Sequence, residues 1–211
     1  MLFGDWSYAA DAERAIAAVR DPSNFHWSIL TLFAIVLTLY YNEIKAKNFK
    51  VVACSVMLYA IHWFYEIMNA VICHITGYAL WTVSPESTSF ILLIGVSAEL
   101  SLMFSVAGFG CKLLPEDKNA KILGINNRVF MGIGMAAFCS LVEIFLAWTP
   151  AFIWVYPWWG AIPVFITTYI PFFVGAYLVY DLPPKKQWTL VGALVAVNTV
   201  LLAVLIPLGI I

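Results

Sequence analysis

Glu66, Glu99 and Glu143 stand inside long apolar runs of this chain. A carboxylate near the centre of a bilayer costs about 2.5–3.5 kcal/mol even on permissive insertion scales, so three of them are not expected to face lipid. A shared cavity is the expected alternative. His62, Glu66 and Asn69 follow one another at helical spacing and fall on one face with Tyr59 and Cys73.

Desolvation favours the neutral carboxyl, so one glutamate can serve as a general acid while an ionised neighbour accepts a proton or stabilises a cation. Trp63, Phe64 and Tyr65 beside Glu66 add aromatic faces that stabilise positive charge. Glu66, Glu99, Glu143, His62 and Asn69 are therefore the candidate catalytic residues. Tyr59, Trp63, Tyr65 and Asn198 are the candidate substrate-binding ones. His62, Glu66, Glu99 and Glu143 would also offer an imidazole and three carboxylates to iron, manganese or zinc. No Glu-x-x-His pair and no HExxH accompanies them, so neither metal nor other cofactor is the expectation.

The elements that must carry these residues follow from composition. Of 211 residues, 63% are hydrophobic and 11% charged, against about 25% charged in a soluble domain. An all-α, polytopic membrane bundle is the implied fold. The net charge of -1 gives no surface for nucleic acid. The opening Met1-Leu2-Phe3-Gly4-Asp5 has no cationic stretch and does not read as a cleaved leader. Cys54, Cys73, Cys111 and Cys139 lack CxxC spacing and are expected as free thiols.

Six apolar spans, near 25–44, 51–73, 88–111, 129–149, 160–180 and 188–211, are each about the 20 residues a bilayer requires. Residues 1–24 precede this domain of 25–211. Their alternation of Trp6, Ala9, Ala10, Ile16 and Val19 with Asp11, Glu13, Arg14 and Arg20 predicts a short interfacial amphipathic helix. Lys45, Lys47 and Lys50, then Lys112, Lys118, Lys121 and Arg128, then Lys185 and Lys186 occupy three alternate loops. The positive-inside rule makes those loops cytoplasmic and both termini extracytoplasmic. Compact loops without sorting signals suggest a bacterial cytoplasmic membrane. Trp81, Trp148, Trp154, Tyr156, Trp158 and Trp159 gather in the other loops, as an aromatic belt or a surface for a protein partner. Asp181, beside Pro183 and Pro184, reads as a solvated helix-end residue.

The stretch His62-Trp63-Phe64-Tyr65-Glu66-Ile67-Met68-Asn69 resembles one segment of the small membrane-bound meroterpenoid cyclases. Those proteins are polytopic, similar in size, and place a catalytic acid after aromatics in an early helix. The resemblance implies that Glu66 is a proton donor. It departs from the family in its six spans against seven, in Tyr65-Glu66 for a Trp-Glu pair, and in Asn198 where a late Asp is usual.

The leading expectation is an intramembrane enzyme performing cyclase- or isomerase-like acid–base chemistry on a lipophilic, isoprenoid- or sterol-like substrate drawn from membrane lipid. A proton- or cation-coupled transporter would use the same carboxylates as a relay, although no inverted repeat is visible. A non-catalytic subunit or assembly factor would instead use the tryptophan-rich face.

Overall fold

The computed structural model describes residues 2–211. In chain order the helices are α1 (Ala9–Ala17), α2 (Ser28–Lys45), α3 (Phe49–Thr76), α4 (Ala98–Ala107), α5 (Asn127–Trp148), α6 (Ala161–Val164), α7 (Ile170–Tyr180) and α8 (Pro184–Leu205). Short strands β1 (Thr82–Val83), β2 (Ile91–Leu93), β3 (Val96–Ser97), β4 (Lys121–Ile122), β5 (Ile125–Asn126) and β6 (Phe152–Ile153) fill the connections. A π-helical turn, Phe165–Tyr169, joins α6 to α7 without a break.

The helix ends follow local chemistry. α3 stops at Gly77, whose φ of 89° is the left-handed C-terminal position that lacks a penalty only in glycine. The Asn126 side chain caps α5 by accepting from the Arg128 amide at 2.9 Å. α8 begins at Pro184, where a missing N–H costs nothing.

Five helical segments are long and apolar enough to cross a membrane among the described residues: Ser28–Lys45, Phe49–Thr76, Asn127–Trp148, Ala161–Tyr180 and Pro184–Leu205. The fold is the expected all-helical membrane bundle; five of its six expected spans are helices of this length, so the count of six is not confirmed. The third expected span, 88–111, is composite. Its first part folds as the β2–β3 hairpin, followed by α4 and a 3-10 stretch, Gly108–Leu113. Ten residues of α4 rise only about 15 Å, half the hydrocarbon thickness.

α3 is the central helix and packs against α2, α4, α7 and α8, while α5 packs against α7. α2 and α8 turn most of their apolar surface outward, as lipid-facing helices do.

The three basic loops meet at one end of the bundle. Lys112 Nζ donates to Glu43 Oε1 at 2.5 Å. Arg128, only 3% exposed, forks onto Asp181 at 2.6 and 3.1 Å, and Lys50 Nζ lies 3.6 Å from the same carboxylate. Asp181 is therefore a tied acceptor between α5 and α7, not a solvated helix end. All four cysteines are free thiols.

The other end carries a folded cap. β1 pairs with β6, and β2 with β3. The N-terminal segment threads across them: the Gly4 amide donates to Trp159 O at 2.8 Å, Asp5 to Trp154 O at 3.0 Å, and Arg20 to Ile91 O at 2.8 Å. Ala12 and Ala15 of α1 are buried against this cap. The small face of α1 thus packs on protein, rather than the helix simply lying among headgroups.

The Arg128–Asp181 fork gives the first test. Arg128→Met is expected to destabilise the protein by about 2–3 kcal/mol in detergent, because it leaves a partly buried carboxylate under-paired. Partial burial pushes the Asp181 carboxyl up, but Arg128 and Lys50 outweigh it and hold it below the usual aspartate range. The native chain therefore binds this proton less readily than the unfolded chain. Its contribution is complete above the ordinary aspartate pKa of about 3.9 and is lost as pH falls through the depressed native value. Thermal unfolding against pH should show that acid limb, and Asp181→Asn should flatten it.

Candidate functional site

Glu66 and Glu143 come from the cap-side halves of α3 and α5, and each is received by an indole. Trp81 Nε1 lies 3.1 Å from both oxygens of Glu66. Trp154 Nε1 donates to Glu143 Oε1 at 2.9 Å. Glu66 is 5% exposed and Glu143 3%, so these donors meet carboxylates that have left water.

The cap places both indoles. After Gly77 the chain turns back over α3, where Asn69 grips it from two sides. Asn69 Oδ1 accepts from the Leu80 amide at 2.8 Å and the Trp81 amide at 3.4 Å, and Nδ2 donates to Trp81 O at 2.8 Å. Trp81 stacks on Trp159 with centroids 5.9 Å apart. Trp154 directly follows β6 and is fully buried. Gly95, in the turn between β2 and β3, closes over Glu66, Asn69 and Trp81.

His62 Nε2 lies 3.3 Å from Glu66 Oε1. Its ring stacks on Phe104 at 4.3 Å and meets the edge of Phe172 at 5.9 Å. Its Nδ1 is buried with no partner in the protein. The π-helical turn brings Thr168 and Tyr169 to the same region, with the Tyr169 hydroxyl near Glu143.

These groups wall one cavity of about 90 Å³. Glu66, Glu143, His62, Thr168 and Tyr169 supply its polar atoms, while Leu100, Phe104, Phe152, Val164 and Phe172 supply apolar wall. Met103, Phe138 and Val142 also line it and are themselves 44%, 61% and 37% exposed. They stand on α4 and α5, so the cavity opens sideways through the gap between those helices.

The other candidates lie elsewhere. Glu99 sits in the first turn of α4, where the helix dipole stabilises a carboxylate. It accepts from the Ser89 amide at 2.7 Å and from the Ser89 hydroxyl, and lines a separate cleft with His26, Ser28, Glu86 and Thr88. Two of the three glutamates therefore share a cavity, because the span carrying the third begins its helix only at Ala98. The His62, Glu66, Glu99 and Glu143 ligand set is accordingly not assembled. Among the described residues no group of three histidine, cysteine or acidic side chains could hold a metal ion.

Asn69 is a clamp on the cap, not a group facing the cavity. Tyr59 spends its hydroxyl on Ser101 Oγ at 2.8 Å. Trp63 packs with Leu93, Val96 and the α8 leucines, and Tyr65 meets Phe172 edge-on at 5.1 Å. Asn198 Nδ2 donates to Ala60 O at 2.7 Å and ties α8 to α3. None of these five walls the cavity.

Sequence reasoning missed Trp81, Trp154, Thr168, Tyr169 and Gly95. The tryptophan cluster divides: Trp81, Trp154 and Trp159 are buried, while Trp148 and Trp158 are exposed as belt residues are. An indole N–H is donor-only, so buried tryptophans in loops near buried glutamates were the available signal.

Residues 9–207 match the sequence model of a family described as an uncharacterized membrane protein family. An uncharacterized protein of Archaeoglobus fulgidus is 41% identical over 198 residues, covering 92% of this chain and 94% of the relative. No solved structure matches the chain. The likeness of residues 62–69 to meroterpenoid cyclases is overturned: the match that spans nearly the whole chain is to this family, and no terpene cyclase family appears. A short aromatic-then-acid run recurs readily on helices rich in aromatic residues.

The packing around Glu66 supplies a second test. A methyl group at Gly95 would stand 2.5 Å from both Glu66 Oε2 and Trp81 Nε1, and still closer to Asn69 Nδ2. Gly95→Ala should therefore lower stability by about 1–3 kcal/mol, as overpacking does. It should also change the fluorescence of Trp81, whereas Gly134→Ala, at a position with open space around it, should do neither.

Proposed function

The chain belongs to this uncharacterized membrane protein family, and we propose that it is an intramembrane enzyme performing acid–base chemistry on a lipophilic substrate. One observation carries this reading: two buried carboxyls, each oriented by an indole N–H, wall a cavity that opens between α4 and α5 toward the lipid-facing surface. Membrane interiors seldom use ionisable groups merely as adhesive, since hydrogen bonds between helices average only about 0.6 kcal/mol. Asparagine or serine would do that work at lower cost.

The two carboxyls have different neighbours, which suggests different roles. Glu66 touches the imidazole of His62, a group able to hold or return a proton, and is assigned as the base. Glu143 has the hydroxyl of Tyr169 and the Trp154 donor, and is assigned as the acid. An ionised carboxylate opposite a neutral one can stabilise positive charge that develops on an apolar substrate between them.

A transmembrane relay is less well supported. Leu58, Phe173 and Tyr177 pack on the basic-end side of Phe104 and Phe172, and all five are buried in one apolar cluster. We further place the basic end at the cytoplasmic face of a prokaryotic cytoplasmic membrane, with both termini outside and the cavity in the outer leaflet.

Comparing lipid extracts of membranes containing wild type, Glu66→Gln and Glu143→Gln tests the enzyme. A species made with wild type and replaced by its precursor with either variant is the expected result. Profiles that do not differ among the three would overturn it. Access is tested separately: dicyclohexylcarbodiimide, partitioned into the bilayer, should modify Glu143, while a water-soluble carbodiimide should not.

A further inference from the structure

Thr168 departs from the pattern of most helical threonines in this chain. Thr38, Thr76, Thr167, Thr189 and Thr199 each donate to the carbonyl four residues back, at 2.7 or 2.8 Å. This is the usual way a helix satisfies a threonine. Thr168 is 4% exposed, its hydroxyl has no partner in the protein, and it lines the cavity beside the glutamates. Both Thr167 and Thr168 lie in the π-helical turn Phe165–Tyr169, yet Thr167 bonds Pro163 O while Thr168 lines the cavity instead. Turns of this kind are costly and concentrate at functional sites.

His62 provides a second free atom at the same cavity. It is 1% exposed, its Nε2 faces Glu66, and Nδ1 has no protein partner. With Nε2–H donated to Glu66 Oε1, Nδ1 is the acceptor of the ring. The cavity thus presents a hydroxyl that can donate and an imidazole nitrogen that can accept, both on otherwise apolar walls. A group that accepts one hydrogen bond and donates another fits this pair. A carbonyl can only accept. A carboxylate or phosphate would meet Glu66, the base of the proposed pair, at close range and be repelled.

Size narrows the ligand further. A cavity of about 90 Å³ has room for a few water-sized groups, so it admits the end of a molecule and not the whole of a long one. The rest must lie in the gap between α4 and α5, against Met103, Phe138 and Val142. We propose that the substrate is an uncharged lipid bearing a terminal hydroxyl, which enters hydroxyl first between α4 and α5 and is held by Thr168 Oγ1 and His62 Nδ1. Reaction then takes place at that terminus or the few carbons beside it, while the tail stays in the bilayer. This rests on the reading of Glu66 and Glu143 as an acid–base site, and adds to it which end of which kind of molecule they meet.

The test uses the full chain in phosphatidylcholine vesicles with a photoreactive hexadecanol, its diazirine next to the hydroxyl-bearing carbon. Capture on α7 and its π-helical turn is expected, displaced by unlabelled hexadecanol but not by hexadecane or palmitate. Thr168→Val keeps the side-chain shape and should weaken capture about tenfold, the worth of one buried hydrogen bond. Thr168→Ser should restore it. Equal displacement by palmitate, or full capture by the valine variant, would overturn the proposal. If the alcohol is not captured while dicyclohexylcarbodiimide still modifies Glu143, hydroxyl recognition fails and the lipid-open acid site stands. If neither reagent reacts, both fail together.

Discussion

Two carboxyl groups taken out of water need donors, and that need organises the cap-side half of this molecule. Glu66 and Glu143 project from transmembrane helices, yet their principal hydrogen-bond donors come from loops: Trp81 for one and Trp154 for the other. Neither tryptophan can be delivered without the cap. Trp81 depends on the Asn69 clamp, and Trp154 follows the β1–β6 pairing and receives the backbone of Asp5 on its own carbonyl. The N-terminal segment, the two small sheets and the site are thus one mechanical unit. Loosening any strand of the cap would leave a buried acid without its donor, which costs more than the bond itself is worth.

The same constraint explains why the third pass through the bundle is broken. A continuous helix over 88–111 would place side chains all round its axis and leave no room over Glu66. The β2–β3 hairpin instead brings the backbone of Gly95 against Glu66, Asn69 and Trp81, an approach that only glycine permits. Shortening the helix has a second effect. α4 packs on α2 and α3, but α5 packs on α7, and the space between α4 and α5 becomes the mouth of the cavity. Closure above Glu66 and opening between α4 and α5 are two results of one structural choice.

Much of this was legible in the residues, and the rest was hidden for physical reasons. Charge along the chain announced the basic end, because lysines in alternate loops have no other way to arrange themselves; Lys112 on Glu43 and Lys50 beside Asp181 are the outcome. Helical spacing correctly put His62 and Glu66 together, since four residues along a helix is a fixed geometry. The register of Glu99 was not legible, because hydropathy cannot distinguish an apolar helix from an apolar hairpin followed by a half-helix. Asn69 was visible as a polar residue in a greasy helix, but its service to a loop 12 residues later depends on how that loop folds back. The tryptophans deceived most. Interface belts and buried donors have the same composition, and only burial separates Trp148 from Trp154.

The site combines rigidity with one deliberate deviation. Asn69, the indoles and Gly95 leave the Glu66 side little freedom, and His62 is fixed between Phe104 and Phe172. Across the cavity, the chain adopts a π-helical turn between Pro163 and Pro171, where prolines already interrupt backbone donors. Within that turn Thr167 bonds Pro163 O, while Thr168 leaves its hydroxyl without a protein partner and lines the cavity together with Tyr169. A bundle maintained for stability alone would gain by removing both the turn and the acids. Their presence on the walls of one cavity that opens between α4 and α5 is the strongest structural reason to look for chemistry there.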